Sequence, residues 1–179
     1  ASVLRQLHKL GIRNAVMMTG DSYRTAEAIA RQVGVDQFFA EVLPEDKANF
    51  VQKAKAEGHT VVMIGDGIND SPALSAADIG IAINSGAAIA REIADVTIKA
   101  DSLEELVTLK TIANALQHRV SSNYRFVLSF NSTLIALGAL GILQPAASAM
   151  LHNLSTIGIS LRSMTNLIQK PSSAPQLEG

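Results

Sequence analysis

The stretch Val61-Val62-Met63-Ile64-Gly65-Asp66-Gly67-Ile68-Asn69-Asp70 carries the strongest signal of fold, because an apolar run ends abruptly in glycine and polar residues. Such a break is typical of a buried parallel strand that opens into a loop. In open α/β sheets, ligands bind beyond the carboxyl ends of the strands. The stretch therefore predicts a binding loop at the edge of a parallel sheet.

The loop supplies two carboxylates four residues apart, Asp66 and Asp70, with the amide of Asn69 between them. Two carboxylates at this spacing can converge on a hard cation that keeps several waters, which describes Mg²⁺. Asp-Gly and Asn-Asp pairs also form turns that bind no ligand. We predict a magnesium site at Asp66 and Asp70, with Asn69 as a neutral hydrogen-bonding partner.

Strand-like and helix-like segments alternate around this loop. Strands are predicted at 15–18, 61–64, 79–82 and 96–98, and helices at Tyr23 to Val33 and Glu45 to Glu57. Alternation of this kind favours an α/β fold with a mostly parallel, Rossmann-like sheet that is covered on both faces.

Two further segments could contact a phosphoryl group. Thr19-Gly20-Asp21 follows a predicted strand, and Ser22 is a plausible N-cap for the next helix. Lys47 opens another helix, where an ammonium could neutralise phosphoryl charge. Taken singly, the Thr-Gly-Asp segment is better explained as an ordinary turn, and Lys47 as a solvated lysine.

Composition limits the class of protein. The chain has 179 residues, 47% of them hydrophobic, and a formal net charge of -1, so it shows no basic footprint for nucleic acid. It has no cysteine, which excludes disulfides and thiolate metal sites within these residues. No signal peptide is evident, and we expect the chain to begin within a longer protein.

The second part of the chain differs, because residues 126–161 contain no Asp, Glu, Lys or Arg. The apolar run Phe126 to Leu143 is close to the roughly 20 helical residues that cross a bilayer. The run Pro145 to Leu161 is more polar, and the short connection predicts a transmembrane helical hairpin. A buried hairpin of a soluble protein is the alternative. The predicted domains are 1–122, 123–168 and a disordered cytosolic tail at 169–179.

Basic residues flank the predicted hairpin. Lys110, Arg119 and Arg125 precede it, Arg162 and Lys170 follow it, and its turn is uncharged. The positive-inside rule then places both ends in the cytosol, with membrane lipid as a partner.

Four segments in this order resemble the phosphorylation-domain motifs of P-type ATPases: Met18 to Asp21, Leu43 to Lys47, Gly65 to Leu74 and Ala76 to Ala82. Two final membrane helices followed by a short tail are similar to the heavy-metal-transporting branch. The resemblance implies a haloacid dehalogenase-like fold, an integral protein of the plasma (inner) membrane, and the cofactors Mg²⁺ and ATP.

The resemblance also implies roles for individual residues. Thr19 and Lys47 would contact the phosphoryl group, and Asp66, with Asn69 and Asp70, would complete the metal and phosphate environment. The cofactor-binding positions would be Gly20, Asp21, Gly65 and Gly67. This small set is chemically adequate, because phosphoryl transfer needs positioning and charge neutralisation above all.

Several parts of such a pump are absent from the sequence. The chain has no Asp-Lys-Thr-Gly-Thr motif to supply the nucleophile, no nucleotide-binding or actuator domain, and no Cys-Pro membrane helix. It therefore resembles the C-terminal portion of a pump, whose missing N-terminal part is the expected partner. We predict that it forms no aspartyl-phosphate alone. A membrane-tethered haloacid dehalogenase-like phosphatase fragment and an inert anchored fragment remain alternatives.

Polar side chains inside the predicted hairpin are candidate ligands for a transported ion. They are Asn131, Met150, His152, Ser155 and Thr156, and interhelical hydrogen bonding is the alternative role. The residues depart from the usual copper, zinc and cobalt patterns of the branch. Imidazole and hydroxyl groups suit several first-row divalent ions, so we predict a divalent transition metal of unspecified identity.

Overall fold

The computed structural model describes residues 2–65, 68–83, 92–98 and 103–167. The chain divides into two compact units, Ala1–Thr108 and Leu109–Gly179, which are described separately below. The division falls inside a long helix, and the boundary predicted from composition, after residue 122, lies further along that helix.

The first unit is an α/β structure with parallel strands, as predicted. Its strands are β1 (Val16–Met18), β2 (Gln37–Phe39), β3 (Val62–Gly65), β4 (Ile79–Ile83) and β5 (Val96–Ile98). Its helices are α1 (Ser2–Lys9), α2 (Tyr23–Val33), α3 (Pro44–Ala56) and α4 (Ser71–Ala76), with a 3₁₀ turn at Ile68–Asp70 before α4. One parallel sheet pairs β1 with β2, and a second has the order β3-β4-β5.

The four predicted strands are confirmed to within one residue at each end, and α2 has the predicted bounds. Strand β2 was not predicted, because a segment of three residues is too short to show an alternation of apolar and polar side chains. It is defined by its partner: Met17 of β1 lies in register with Phe38.

The two sheets share a hydrophobic core although no backbone pairing joins them within the described residues. Val51 of α3, Met63 of β3 and Leu74 of α4 are buried together, and Met18 at the end of β1 packs against them. Strands β1 and β3 therefore each have one edge that no described strand occupies.

Three aspartates repeat one hydrogen-bonding pattern at the amino ends of the strands. Asp36 precedes β2 and accepts the N–H of Ala15 at 2.6 Å, and Asp78 precedes β4 and accepts the N–H of Val61 at 2.8 Å. Asp95 precedes β5 and accepts the N–H of Gly80, also at 2.8 Å. Each carboxylate thus fixes the start of its own strand against the neighbouring strand.

These backbone hydrogen bonds lower the pKa of Asp36 and the pKa of Asp78 below their ordinary value of 3.8. A hydrogen bond to a carboxylate favours its charged form. His8 adds to the effect at Asp36 through a contact of 3.0 Å, and Lys55 adds to it at Asp78 at 3.2 Å.

The second unit contains most of helix α5 (Glu104–Ala139) and all of helix α6 (Pro145–Ser163). Gly141, at a φ of 73°, lies in the turn between them. The helices are joined side by side, since Asn123 Nδ2 donates to Ser163 Oγ at 3.0 Å and Arg162 Nη2 donates to Ser122 Oγ at 3.3 Å. Two adjacent helices are therefore confirmed.

Their predicted transmembrane character is not shown. Within the described residues, no helix combines the length and the apolar character needed to cross a membrane. The physical reason lies in where the helices end: α5 stops at Ala139, so the predicted apolar span 126–143 is divided between a helix and a turn. The predicted tail at 169–179 lies outside the described residues.

Candidate functional site

Lys47 and Asp70 form an ion pair at the centre of the candidate site. Lys47 lies in the first turn of α3, which begins at Pro44, and Asp70 ends the 3₁₀ turn before α4. The Nζ atom of Lys47 donates to Oδ1 of Asp70 at 2.8 Å, and the two side chains are only 15% and 13% exposed. An ammonium and a carboxylate that are this buried interact more strongly than a surface pair does.

Gly65 makes room for this pair at the end of β3. A Cβ atom on Gly65 would lie 2.6 Å from the Cβ and 2.9 Å from Oδ2 of Asp70, distances that real side chains do not tolerate. Ser71 follows Asp70 and is buried, and its hydroxyl has no hydrogen-bond partner among the described residues. Ser71 is not among the residues predicted for the site, although it directly follows the Asn-Asp pair.

Thr19 is held at the end of β1 by backbone hydrogen bonds. Its N–H donates to the carbonyl of Phe39, and its carbonyl accepts the N–H of Val42, each at 3.0 Å. Its hydroxyl donates to Oδ2 of Asp21 at 2.7 Å, so the two polar residues of Thr19-Gly20-Asp21 are brought together. A Cβ atom on Gly20 would lie 3.7 Å from the carbonyl oxygen of Val42.

The chain segment after Val42 connects the two predicted phosphate-binding regions. It leads directly into α3, whose first turn carries Lys47 to the loop after β3. Ser22 occupies the N-cap position of α2 as predicted, but its hydroxyl contacts Thr25 Oγ1 at 3.1 Å instead of a backbone N–H.

Of the other residues predicted to bind ligand in the loop after β3, Asn69 is described by the structure, whereas Asp66 and Gly67 are not. Asn69 is exposed within the 3₁₀ turn. Asp66 and Gly67 lie outside the described residues, so the magnesium pair of Asp66 and Asp70 stays a prediction. In the described part of the chain, no cluster of three or more His, Cys, Asp or Glu residues could hold a metal ion.

In the second unit, two of the candidate ion ligands meet across the helices. His152 Nδ1 on α6 lies 2.9 Å from Oδ1 of Asn131 on α5. Ser155 and Thr156 instead donate their hydroxyls to the carbonyl of His152, at 2.7 and 3.1 Å, within their own helix. Met150 is 65% exposed, and its predicted role is untested.

The chain is similar in sequence to known proteins of two related kinds. Residues 1–78 match the haloacid dehalogenase-like hydrolase family. The chain is 41% identical over 160 residues to the manganese-exporting P-type ATPase of Mycobacterium leprae (strain TN), covering 89% of this chain and 22% of that protein. The chain contains a haloacid dehalogenase-like domain and is homologous to heavy-metal P-type ATPases.

Two other relatives support the same homology. The chain is 38% identical over 164 residues to the probable copper-exporting P-type ATPase V of Mycobacterium tuberculosis (strain ATCC 25618 / H37Rv), covering 92% of this chain and 21% of that one. The crystal structure of a zinc-transporting PIB-type ATPase in the E2.Pi state superposes with a TM-score of 0.83 at 33% identity, covering 92% of this chain and 27% of that one. This homologue of heavy-metal P-type ATPases thus spans about a fifth of the length of its curated relatives.

Proposed function

We propose that this chain is the C-terminal portion of an ATP-driven pump that exports a divalent transition-metal ion through a phosphorylated aspartate. The observation that carries the proposal is the buried ion pair of Lys47 and Asp70 beside Gly65. The relatives that export manganese, zinc or copper support metal transport as the function.

Lys47 would neutralise charge on the transferred phosphoryl group, because its ammonium is held at one position by Asp70. Thr19 would donate a hydrogen bond to a phosphoryl oxygen. In the structure the Thr19 hydroxyl donates to Asp21, so the hydroxyl must rotate away from Asp21 before it can donate to the phosphoryl group. Gly20 and Asp21 would lie on the side of the site that faces the nucleotide.

The residues present are compatible with Mg²⁺. Oδ1 of Asp70 accepts a hydrogen bond from Lys47, and the other carboxylate oxygen, Oδ2, lies 2.9 Å from the position that a Cβ on Gly65 would take. A carboxylate oxygen is the kind of ligand that Mg²⁺ prefers. Asp66 and Asp70 would hold the ion, with Asn69 beside them, and the bound ion would neutralise charge on the phosphate oxygens of ATP.

The nucleophile would come from the remainder of a longer chain. Strands β1 and β3 pack against a common core and each has an edge that no described strand occupies, so one further parallel strand can pair with both. The carboxyl end of such a strand would lie between Thr19, which follows β1, and the loop of residues 66–70, which follows β3. That position suits an aspartate that attacks a phosphoryl group bound by Thr19 and Lys47.

The test is phosphorylation by radiolabelled ATP with Mg²⁺. The chain alone should give no acid-stable phosphoenzyme, whereas the chain combined with a separately expressed N-terminal part of the pump should give one. Lys47→Ala should abolish the signal, and Lys53→Ala, an exposed lysine of the same helix, should leave it unchanged. An acid-stable phosphoenzyme on the chain alone would refute the proposal.

His152 is the strongest candidate to bind the transported ion. If Nδ1 donates its hydrogen to Oδ1 of Asn131, Nε2 of the neutral ring carries the free lone pair and can bind a metal. Imidazole suits several first-row divalent ions, so the geometry favours that class without naming one metal. Ser155, Thr156 and Met150 would be further ligands.

This role predicts that His152→Ala in the complete pump abolishes metal stimulation of ATP hydrolysis. His59→Ala removes an exposed histidine of the first unit and serves as the control. Unchanged stimulation in His152→Ala would make His152 a structural residue, and it would leave the phosphoryl-transfer proposal intact.

We also propose that the second unit lies in the membrane part of the complete pump, with the first unit and the C-terminus in the cytosol. Residues 126–161 carry no charged side chain, and Ile135, Leu140 and Ile142 are each about 70% exposed. Those apolar side chains would contact lipid or further helices of the pump. The test introduces Lys53→Cys or Ile135→Cys into the complete pump after its other cysteines are replaced, since this chain itself has none. A water-soluble maleimide should label residue 53 and leave residue 135 unlabelled.

A further inference from the structure

A basic cavity lies where the two helices of the second unit meet, at the end of α6. It has a volume of about 310 Å³, and it is lined by Ala115, His118, Arg119, Arg162, Thr165 and Leu167. Two arginines and one histidine thus line a single cavity, and nothing in the proposed phosphoryl transfer or ion transport uses it.

Among the described residues of the second unit, no carboxylate balances the charge of this cavity. The sequence has no Asp or Glu between Leu106 and Leu177. Like charges that share a concave space repel each other, and a bound anion relieves that repulsion. The cavity is therefore electrostatically suited to a negatively charged ligand.

The carbonyl groups at the end of α6 partly neutralise the positive charge of Arg119 but not that of Arg162. Arg119 donates Nη1 to the carbonyls of Ser163 and Thr165 and Nη2 to that of Asn166. These bonds hold its guanidinium in one orientation. Among the described residues, Arg162 makes a 3.3 Å hydrogen bond only to the neutral hydroxyl of Ser122, so most of its donors remain available to a ligand.

The surroundings indicate a ligand with an apolar part. A second cavity of about 420 Å³ shares Arg119, Thr165 and Leu167 with the first, and it is lined also by Leu116 and Val120. Leu116 and Val120 are 48% and 54% exposed, so carbon chains can lie against them. Guanidinium groups bind phosphate oxygens with paired hydrogen bonds.

We propose that the cavity formed by His118, Arg119 and Arg162 binds a phosphate group, with an anionic phospholipid as its source and free phosphate as the other possible source. Basic pockets beside membrane helices recognise lipid head groups in this way. The inference rests on the helical pair alone, and it is independent of phosphoryl transfer by the first unit.

The test is calorimetric titration of the whole chain in detergent micelles. One arm uses short-chain phosphatidylglycerol and the other uses inorganic phosphate. Arg162→Gln should raise the dissociation constant about tenfold, which is the loss of one charge-assisted hydrogen bond. Arg125→Gln, whose Nε donates to the carbonyl of Ser121 outside the cavity, should change it less than twofold. Arg162→Lys keeps the charge and should recover part of the affinity if the helices remain folded by circular dichroism.

The two arms distinguish the sources. Saturable binding of the lipid without competition by phosphate identifies a phospholipid site, and phosphate binding with the same dependence on Arg162 identifies a free-phosphate site. Equal weakening by Arg125→Gln and Arg162→Gln would show diffuse attraction and overturn the proposal. Absence of saturable binding in both arms would overturn it as well.

Discussion

The Nζ atom of Lys47 lies 2.8 Å from Oδ1 of Asp70, and this contact joins the first turn of α3 to the loop that follows β3. The residues are 23 positions apart in sequence. Because both side chains are largely buried, neither charge is well solvated by water, and each depends on the other.

Because Lys47 and Asp70 form a buried ion pair, we expect the effects of substituting them on the free energy of unfolding to be strongly coupled. Lys47→Met should lower the free energy of unfolding by about 3 kcal/mol, because it leaves a buried carboxylate without a partner. The double variant Lys47→Met/Asp70→Asn should cost less than the sum of the two single variants. Urea unfolding followed by circular dichroism measures the cycle, and Lys53→Met on the exposed face of α3 is the control. Additive effects would show that the contact is energetically neutral.

Gly65 should not tolerate a methyl group. In Gly65→Ala the new Cβ would overlap Asp70, and overpacking of this kind costs about 1–3 kcal/mol. The matched control is Gly138→Ala in α5, where a Cβ would meet nothing within 4 Å and where alanine favours the helix. Thermal unfolding should therefore show a lower Tm for the first variant and an equal or higher Tm for the second.

The carboxylate of Asp78 should make unfolding depend on pH in the acid range. Its folded pKa is below the ordinary 3.8, chiefly because it accepts the N–H of Val61. Its contribution to stability is fully present above the unfolded pKa and is lost as the pH falls through the folded pKa. Asp78→Asn should flatten the dependence of the unfolding midpoint on pH below about pH 4, near the ordinary pKa of an aspartate.

A control for that experiment is Glu57→Gln, which removes an exposed carboxylate just after α3. It should retain the acid dependence of the unaltered chain. If Asp78→Asn and the unaltered chain lose stability in parallel between pH 5 and pH 2, roughly the range over which aspartates titrate, the carboxylate of Asp78 is not the cause.

Arg119 should hold the end of α6 in place. Arg119→Lys keeps the charge but loses the planar group that contacts three carbonyls, and a single ammonium cannot reproduce that geometry. Amide hydrogen exchange at Met164 and Thr165 should accelerate about tenfold, corresponding to the loss of roughly one net hydrogen bond. Arg125→Lys, in the same helix, should leave that exchange unchanged.

Local sequence was enough to place most of the first unit. Apolar runs ended by glycine or polar residues located β1, β3, β4 and β5, and the bounds of α2 follow from its apolar spacing and the glycine after it. These patterns work because the spacing of apolar residues reflects which face of an element is buried, and because particular residues favour the ends of helices. The same local motifs also identified Lys47 and Asp70 as site residues, and the structure brings them into contact.

Long-range contacts decided what those patterns left open. Strand β2 exists because β1 offers it a partner, and the importance of Gly65 arises only when Asp70 packs against it. The pairing of Asn131 with His152, and that of Arg119 with the end of α6, likewise join residues more than twenty positions apart. Local composition determined which segments became strands and helices, whereas packing of distant segments decided which polar groups meet, because each such contact depends on geometry that neither segment possesses alone.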